Sequence, residues 1–209
     1  MALDVAVIRF PGTNCEFDVV EAVGTLGAAD VVVVAGGFAH GDYLRPGAIA
    51  RFSPVMAAVT EFAADGGPVV GICNGFQVLT EAHLLPGALQ KNAGLKFRCG
   101  TAQLRVESTD SVLTSAASVG DVLDIPINHF EGNYTCSPET LAELRSEDRI
   151  VLRYVDNPNG SVDDIAGICS AGRNVVGLMP HPERACDDLL GSSDGLVMLR
   201  SLLAAAVPA

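Results

Sequence analysis

A glycine-flanked cysteine segment, Gly71-Ile72-Cys73-Asn74-Gly75, joins the apolar run Pro68-Val69-Val70 to the helix-like stretch Phe76 to Glu81. In α/β enzymes, a strand, a sharp turn that carries a nucleophile and a helix follow one another in this way. The glycines let neighbouring backbone pass close to the strained turn. The pattern therefore predicts an α/β fold in which the Cys73 thiol is held on a strand-to-helix turn.

The apolar residues of the chain support the same fold class. Hydrophobic residues make up 49% of the sequence, but aromatic residues only 5%, and tryptophan is absent. Small branched side chains in long runs are typical of a parallel sheet that is covered by helices. At 209 residues the chain is long enough for one independent core, so we expect a single domain over residues 1–209.

Charge and cysteine spacing exclude several function classes. The formal net charge is −12 and no lysine or arginine cluster occurs, so we expect neither nucleic acid nor a membrane as partner. The six cysteines form no paired spacing, which favours reduced thiols. Asp4 and the lack of an early basic residue argue against a signal peptide, and Val31 to Ala39 is too short to span a bilayer. We therefore expect a cytoplasmic protein.

Buried strands and helices alternate along the first half of the chain, which predicts a mainly parallel sheet. Predicted strands cover Val5 to Ile8, Val31 to Val34, Pro68 to Val70, Ile150 to Tyr154, Ile165 to Cys169 and Val175 to Met179. From Phe97 to Asn128 the pattern changes to shorter segments, which include Ala102 to Val106 and Val122 to Asn128. Predicted helices cover Asn14 to Leu26, Ser53 to Asp65, Phe76 to Glu81, Pro138 to Arg145 and Gly195 to Val207. Gly36-Gly37, Cys73 and His181 each follow a strand, so we expect them at one edge of the sheet.

A base and its orienting group are predicted in Pro180-His181-Pro182-Glu183. An ordinary thiol has a pKa of about 8.5, and a nearby imidazole and a helix N-terminus both favour its thiolate. His181 is the predicted general base, and Glu183, two residues on in an extended segment, is predicted to hold its imidazole. The alternatives are a structural cysteine and an exposed turn. The combination with Cys73 favours an acyl-transfer site.

Acyl transfer also needs hydrogen-bond donors for the oxyanion of its intermediate. The backbone N–H groups of Asn74 and Gly37 are the candidates, although Gly37 could instead serve only a tight turn. His40 and His129 fall in predicted loops and are other possible bases, whereas His83 is expected to be exposed. No metal-ligand spacing and no phosphate-binding loop occur in the sequence, so we expect no cofactor on this chain.

These motifs resemble those of the class I (triad-type) glutamine amidotransferases. Within that family the chain is similar to glutaminase subunits of purine biosynthesis over nearly its whole length. The matching blocks are Phe10 to Glu16, Gly36 to Arg45, Gly47 to Phe52, Gly71 to Gln77, His129 to Tyr134 and Pro180 to Arg184. The resemblance implies a three-layer, flavodoxin-like fold and the catalytic residues Cys73, His181 and Glu183. It also implies a substrate contact by Gln77, one helical turn after the nucleophile.

The activity implied by the resemblance is hydrolysis of L-glutamine to glutamate through a Cys73 thioester. The ammonia would pass to a large synthetase subunit, which holds ATP and Mg²⁺ and converts formylglycinamide ribonucleotide to its amidine. A further small subunit is implied in the complex. The loop from His40 to Arg51 is a candidate contact surface for the large subunit, because its charged residues have no role in the triad.

One departure from the family concerns the short connection between Leu26 and Val31, where a strand of the family is expected to be missing. A lost edge strand exposes a new sheet edge, which affects stability or assembly more than chemistry. A smaller departure is Asn128, where the family often has a small residue. Two other functions stay open: a cysteine-triad hydrolase of another pathway, such as a γ-glutamyl hydrolase, and a glutaminase-like chain that is only a structural partner.

Overall fold

The computed structural model describes residues 5–14, 16–17 and 30–205. Its strands are β1 (Val5–Ile8), β2 (Val31–Val34), β3 (Val69–Ile72), β4 (Ala88–Gln90), β5 (Arg98–Val106), β6 (Val122–His129), β7 (Asn133–Thr135), β8 (Ile150–Tyr154), β9 (Ile165–Cys169) and β10 (Val175–Leu178). Its α-helices are α1 (Pro54–Ala64), α2 (Asn74–Glu81), α3 (Pro138–Ser146) and α4 (Gly195–Ala205). Short 3-10 turns cover Ala39–Asp42, Ala50–Phe52, Val162–Asp164, Pro182–Arg184 and Asp188–Leu190.

Eight strands form one sheet in the order β1-β2-β3-β10-β9-β8-β5-β6. In this order the neighbouring strands β1, β2, β3 and β10 are parallel to one another. Each further pair, β10–β9, β9–β8, β8–β5 and β5–β6, is antiparallel. The parallel half carries the expected strand, turn and helix around Cys73, so the predicted α/β fold is confirmed. Strands β4 and β7 pair separately, and the sequence patterns did not predict them.

The inner parallel strands β2, β3 and β10 are buried, as is typical of parallel strands covered on both faces. Every residue of β2, β3 and β10 is buried, and these strands consist mainly of valine. The predicted bounds of β1, β2, β8 and β9 agree with the structure, since turn residues or polar residues flank each apolar run. Within the described ranges β1 is an edge strand of the sheet, and its residues are partly exposed.

Helix α3 begins where its sequence predicts. The Ser137 hydroxyl accepts a hydrogen bond from the Thr140 N–H at 3.2 Å, and Pro138 occupies the first turn, where its missing N–H costs nothing. The predicted helix from Asn14 to Leu26, and with it the strand expected to be missing before Val31, falls mostly outside the described residues.

The sheet order brings three strand ends together. Strands β2, β3 and β10 are adjacent and parallel, so the residues that follow them, Gly36-Gly37, Cys73 and His181, meet at one edge. The predicted convergence at this edge is confirmed.

Among the described cysteines none forms a disulfide, and no described helix has both the length and the apolar character needed to cross a bilayer.

Candidate active site

Cys73 occupies a strained turn between β3 and α2. Its backbone φ is 53° and its ψ is −107°, a conformation that residues with a Cβ rarely adopt. A Cβ at Gly75 would collide with the carbonyl oxygen of Val34, and one at Gly71 would lie 2.7 Å from backbone atoms of Gly75. The two flanking glycines are therefore required for the close approach of the turn to β2 and α2, as the sequence predicted.

A cleft lies above this turn, at the carboxyl end of the parallel strands. Its lining comprises Asn14, Gly37, Phe38, Asp42, Cys73, Gln77, Asn128, His129, Phe130, Glu131 and His181. Four of the six predicted site residues, Gly37, Cys73, Gln77 and His181, thus line one cleft. Asn74 directly follows Cys73, and Glu183 lies behind His181.

His181 and Glu183 form a buried pair. Nδ1 of His181 lies 2.6 Å from Oε1 of Glu183, and the two residues are 1% and 3% exposed. Burial lowers the pKa of His181, but the nearby Glu183 carboxylate and Cys73 sulfur outweigh it and raise this pKa to about 10. A protonated His181 is thus favoured when its neighbours carry negative charge.

The expected contact between His181 and Glu183 is present, but the backbone that produces it differs from the prediction. Instead of an extended segment, Pro182 to Arg184 form a 3-10 turn, and His181 precedes it with φ −109° and ψ 82°. Pro182 occupies the first position of this turn, where its fixed φ is favourable. The turn folds the Glu183 carboxylate back onto the imidazole.

Cys73 and His181 are neighbours without a regular hydrogen bond between them. Sγ of Cys73 lies 3.8 Å from the carbonyl oxygen of Asn128, a distance within reach of a weak S–H···O bond. Nε2 of His181 is buried and has no hydrogen-bond partner of regular geometry in the described part of the chain, although the sulfur is near enough to raise the pKa of the ring. Nucleophile–base hydrogen bonds often tighten only when substrate binds, so this arrangement is compatible with a resting thiol.

Two backbone N–H groups are available next to the thiol. The N–H of Asn74 is the first of α2, and helix N-terminal N–H groups lack partners within the helix. Gly37 has φ +145°, and a Cβ there would lie 2.7 Å from both the nitrogen of Asn14 and the Cα of Thr13. Only glycine fits at this position. In the described part of the chain neither N–H donates a hydrogen bond to a backbone carbonyl.

The Asn74 side chain links the turn to the loop that covers it. Its Oδ1 accepts from the Ala39 N–H at 2.8 Å, and its Nδ2 donates to Oε1 of Gln77 at 2.7 Å and to Oδ1 of Asp42 at 3.2 Å. Nε2 of Gln77 in turn donates to the carbonyl oxygen of Glu131 at 2.5 Å. Gln77 thus lines the cleft as predicted, yet both its polar atoms already bond to protein groups.

Among the cleft residues that the sequence did not predict are Asp42 and Glu131, whereas His129 was predicted as another possible base. Asp42 and Glu131 are two carboxyl groups at the cleft; burial and the charge of Glu131 raise the pKa of Asp42 to about 6. His129, predicted in a loop, is instead the last residue of β6 and is buried. The prediction for His129 was wrong because β6 continues one residue further than its apolar pattern. His83 is exposed, as predicted.

Comparison with protein families and relatives agrees with this geometry. Residues 24–193 match the CobB/CobQ-like glutamine amidotransferase domain. "Phosphoribosylformylglycinamidine synthase subunit PurQ" of Rubrobacter xylanophilus is 56% identical over 97% of this chain and 98% of its own length. The protein of the same name from Cereibacter sphaeroides is 55% identical over 95% of this chain and 96% of its own.

Solved structures extend the likeness. A chain from "Structure of PurLQS from Thermotoga maritima" is 38% identical, has a TM-score of 0.90, and the match covers 98% of this chain and 99% of that one. The Thermoplasma acidophilum chain of "Crystal structure of a putative gmp synthase subunit a protein" has a TM-score of 0.67 at 14% identity over 99% of this chain and 94% of its own, and so shares the fold. The chain therefore belongs to the glutamine amidotransferases and, within them, to the PurQ family of phosphoribosylformylglycinamidine synthase subunits.

Proposed function

We propose that this chain hydrolyses L-glutamine to glutamate and ammonia through a thioester on Cys73. One observation carries the proposal: the strained cysteine turn after β3 and the buried His181–Glu183 pair after β10 meet in one cleft. A structural cysteine has no need of positive φ, and a surface histidine has no need of a buried carboxylate. The combination is typical of a cysteine–histidine–carboxylate nucleophile.

In the acylation step, Sγ of Cys73 attacks the carboxamide carbon and its proton passes to Nε2 of His181. Glu183 holds the imidazole through Nδ1 and stabilises the imidazolium charge. The N–H groups of Gly37 and Asn74 stabilise the oxyanion of the tetrahedral intermediate. His181 then donates its proton to the amide nitrogen, the C–N bond breaks and ammonia leaves. Water next attacks the thioester carbon and gives a proton to His181, which returns it to the Cys73 sulfur as the C–S bond breaks and glutamate leaves.

The cleft also offers groups for the amino end of glutamine and for its substrate contact. Asp42 and Glu131 form a negative mouth that suits the α-ammonium group of glutamine. Gln77 holds the Glu131 backbone and retains one N–H for substrate, since Nε2 has a second hydrogen beyond the one that it donates. We assign Gln77 a role in positioning the cleft wall as well as in substrate contact.

The ammonia passes, in our proposal, to a large synthetase subunit that holds ATP and Mg²⁺ and acts on formylglycinamide ribonucleotide. The names of the PurQ relatives and of the PurLQS structure support this partner and a further small subunit. We take residues 1–209 as one glutamine amidotransferase domain, because one sheet runs through both halves of the described chain. The cytoplasmic location inferred from the sequence belongs to the same proposal.

Two exposed residues of the loop from His40 to Arg51, Tyr43 and Leu44, and Phe52 directly after it support this loop as the docking surface. These apolar side chains are 75%, 92% and 77% exposed. Exposed apolar patches of this kind mark interaction sites. In the same loop Arg45 holds Glu81 at the end of α2 through two hydrogen bonds of 2.5 and 2.7 Å. A partner that presses on this loop would therefore reach the helix that follows Cys73.

Labelling with 6-diazo-5-oxo-L-norleucine, a glutamine mimic that alkylates nucleophilic thiols, tests the proposed function. We expect a single adduct on Cys73, found by peptide mass spectrometry, that excess L-glutamine prevents. The other cysteines are internal controls, because none of those that the structure describes has a positive φ. Cys186 lies near Glu183, but burial and that carboxylate raise its pKa to about 11, which disfavours its thiolate. If the label is spread evenly over all the cysteines, or if no cysteine is modified in the presence of the synthetase partner, Cys73 is not the nucleophile.

A further inference from the structure

A second histidine lines the same cleft as Cys73 and His181. His129 is the last residue of β6 and is only 3% exposed. Its Nε2 atom is buried and has no hydrogen-bond partner among the residues that the structure describes. A buried polar atom without a partner is costly, so its presence beside the reacting groups points to a ligand that completes it.

The buried side chain of Asn92 determines which nitrogen of His129 carries the proton. Its Nδ2 donates to the carbonyl oxygens of Lys96 and His129 at 2.9 and 3.0 Å, and its Oδ1 accepts from the Gly132 N–H at 3.0 Å. Carbonyls only accept and a backbone N–H only donates, so the orientation of this amide is unambiguous. Oδ1 also lies 3.2 Å from Nδ1 of His129, which must therefore be the protonated nitrogen.

The free nitrogen, Nε2, is thus an acceptor and lies on the side of the ring away from Asn92. Burial and the charge of His181 lower the pKa of His129 to about 4, so the ring is neutral at physiological pH. The opposite shifts of His129 and His181 give one cleft a neutral acceptor and a base that holds a proton once Cys73 has ionised. Groups whose environments push their pKa values apart in this way commonly have separate roles.

We propose that Nε2 of His129 accepts a hydrogen bond from the carboxamide N–H of bound glutamine and that Asn92 positions the ring for this contact. The inference rests on the glutaminase function proposed above. Of the two N–H-bearing groups of glutamine, the α-ammonium suits the carboxylates of Asp42 and Glu131. The carboxamide must lie at Cys73, whose sulfur is 3.8 Å from the carbonyl oxygen of Asn128, the residue before His129.

During acylation, the Sγ–C bond forms and the C–N bond breaks, while the proton that His181 donates goes to the leaving nitrogen. His129 gains and loses no proton. It holds the amide nitrogen during attack and the neutral ammonia after cleavage, and it leaves that ammonia unprotonated and therefore nucleophilic. The same contact favours an amide over an acyl group without an N–H, because such a substrate leaves Nε2 unpaired.

Two substrates separate this role from a structural one: L-glutamine and the γ-methyl ester of L-glutamate, which reacts at the same carbon but has no N–H on its leaving group. We compare kcat/KM for both in the presence of the synthetase partner. In His129→Phe, which keeps a ring but no acceptor, we expect kcat/KM for glutamine to fall about ten- to a hundredfold and that for the ester less than about threefold. Asn92→Asp should show the same selectivity, because its negative charge favours an imidazolium whose Nε2 donates.

Gly132→Ala is a second variant that keeps the imidazole. It should displace the ring, because a Cβ at Gly132 would collide with the ring of His129. It too should lower glutamine turnover more than ester turnover. His83→Phe, the same substitution at an exposed histidine outside the cleft, should change neither substrate. An equal loss for both substrates in the three cleft variants overturns the inference and leaves the proposed function standing. A wild-type complex that turns over neither substrate overturns both.

Discussion

Nδ1 of His181 and Oε1 of Glu183 are 2.6 Å apart in a part of the cleft that solvent does not reach. Burial opposes a charged imidazole, yet the pKa of His181 is raised to about 10 because the Glu183 carboxylate and the Cys73 sulfur lie beside it. In the proposed mechanism this pair allows the buried His181 to accept and hold the thiol proton. Loss of the Glu183 charge should therefore impair proton uptake by His181, and loss of His181 should leave the buried Glu183 carboxylate without its partner.

Glu183→Gln tests this dependence. The glutamine keeps the shape of the side chain but removes the charge, so we expect kcat for glutamine to fall by about 10²- to 10⁴-fold. Because the carboxylate raises the pKa of His181, its loss should also move the alkaline limb of the kcat–pH profile to lower pH. Glu61→Gln, on the exposed part of α1, is the matched control. Unchanged kcat in Glu183→Gln would show that the carboxylate does not orient the base.

Gly37→Ala tests the predicted oxyanion donor. Its Cβ would lie 2.7 Å from backbone atoms of Asn14 and Thr13, so the backbone must shift and the N–H must move with it. We expect kcat to fall by about 10²- to 10³-fold. Gly66→Ala carries the same positive-φ cost in open space and should lower only stability. Equal activity in the two variants would mean that Gly37 serves only the turn.

Leu44→Asp tests the docking surface. Leu44 is 92% exposed, so the substitution should leave the fold intact and weaken binding of the synthetase partner by at least about tenfold. Isothermal titration calorimetry measures the Kd directly. Val119→Asp is the control, because Val119 is also exposed but lies in the turn between β5 and β6, far along β6 from His129. Equal affinity of both variants would place the partner on another surface.

His129 should make stability depend on pH. Its folded pKa of about 4 lies below the ordinary histidine value of 6.5, so between these values the unfolded chain binds the extra proton. This contribution is fully present above pH 6.5 and is lost as pH falls toward about 4, by at most about 3 kcal/mol. Asp42, with its raised pKa, contributes in the opposite direction in both wild type and variant.

Urea unfolding of wild type and His129→Phe at several pH values measures the His129 contribution as a difference. As pH falls from 6.5 to 4, we expect wild type to lose stability relative to His129→Phe. A gap between wild type and His129→Phe that stays constant with pH would mean that His129 is not buried as a neutral ring.

Local patterns predicted the parts of the fold that local chemistry determines. Strands β8 and β9 agree with their predicted bounds because each apolar run ends at polar or turn residues, and α3 begins at its serine cap. Strands β4 and β7 were missed because each has only three residues and their partner is distant in sequence. No periodicity exists in so short a segment.

The candidate site shows the same division. Cys73 and His181 stand out because each follows a buried strand within a distinctive glycine or proline context. Asn92 reads as an ordinary turn residue, and only the fold brings it, 37 positions away in sequence, to His129. Asp42 likewise meets the cleft through a loop whose path no local pattern predicts. Chemistry that depends on contacts between distant segments could not be read from the chain alone.

The most direct test of the account is the release of ammonia and glutamate from L-glutamine, measured for wild type and Cys73→Ala with and without the synthetase partner. We predict low release by the wild-type chain alone, clear release in the complex, and none above background in Cys73→Ala under either condition. Thermal unfolding of both proteins confirms that the variant is folded. Ammonia release by the Cys73→Ala complex at the wild-type rate, or silence of the wild-type complex, would contradict the central claim.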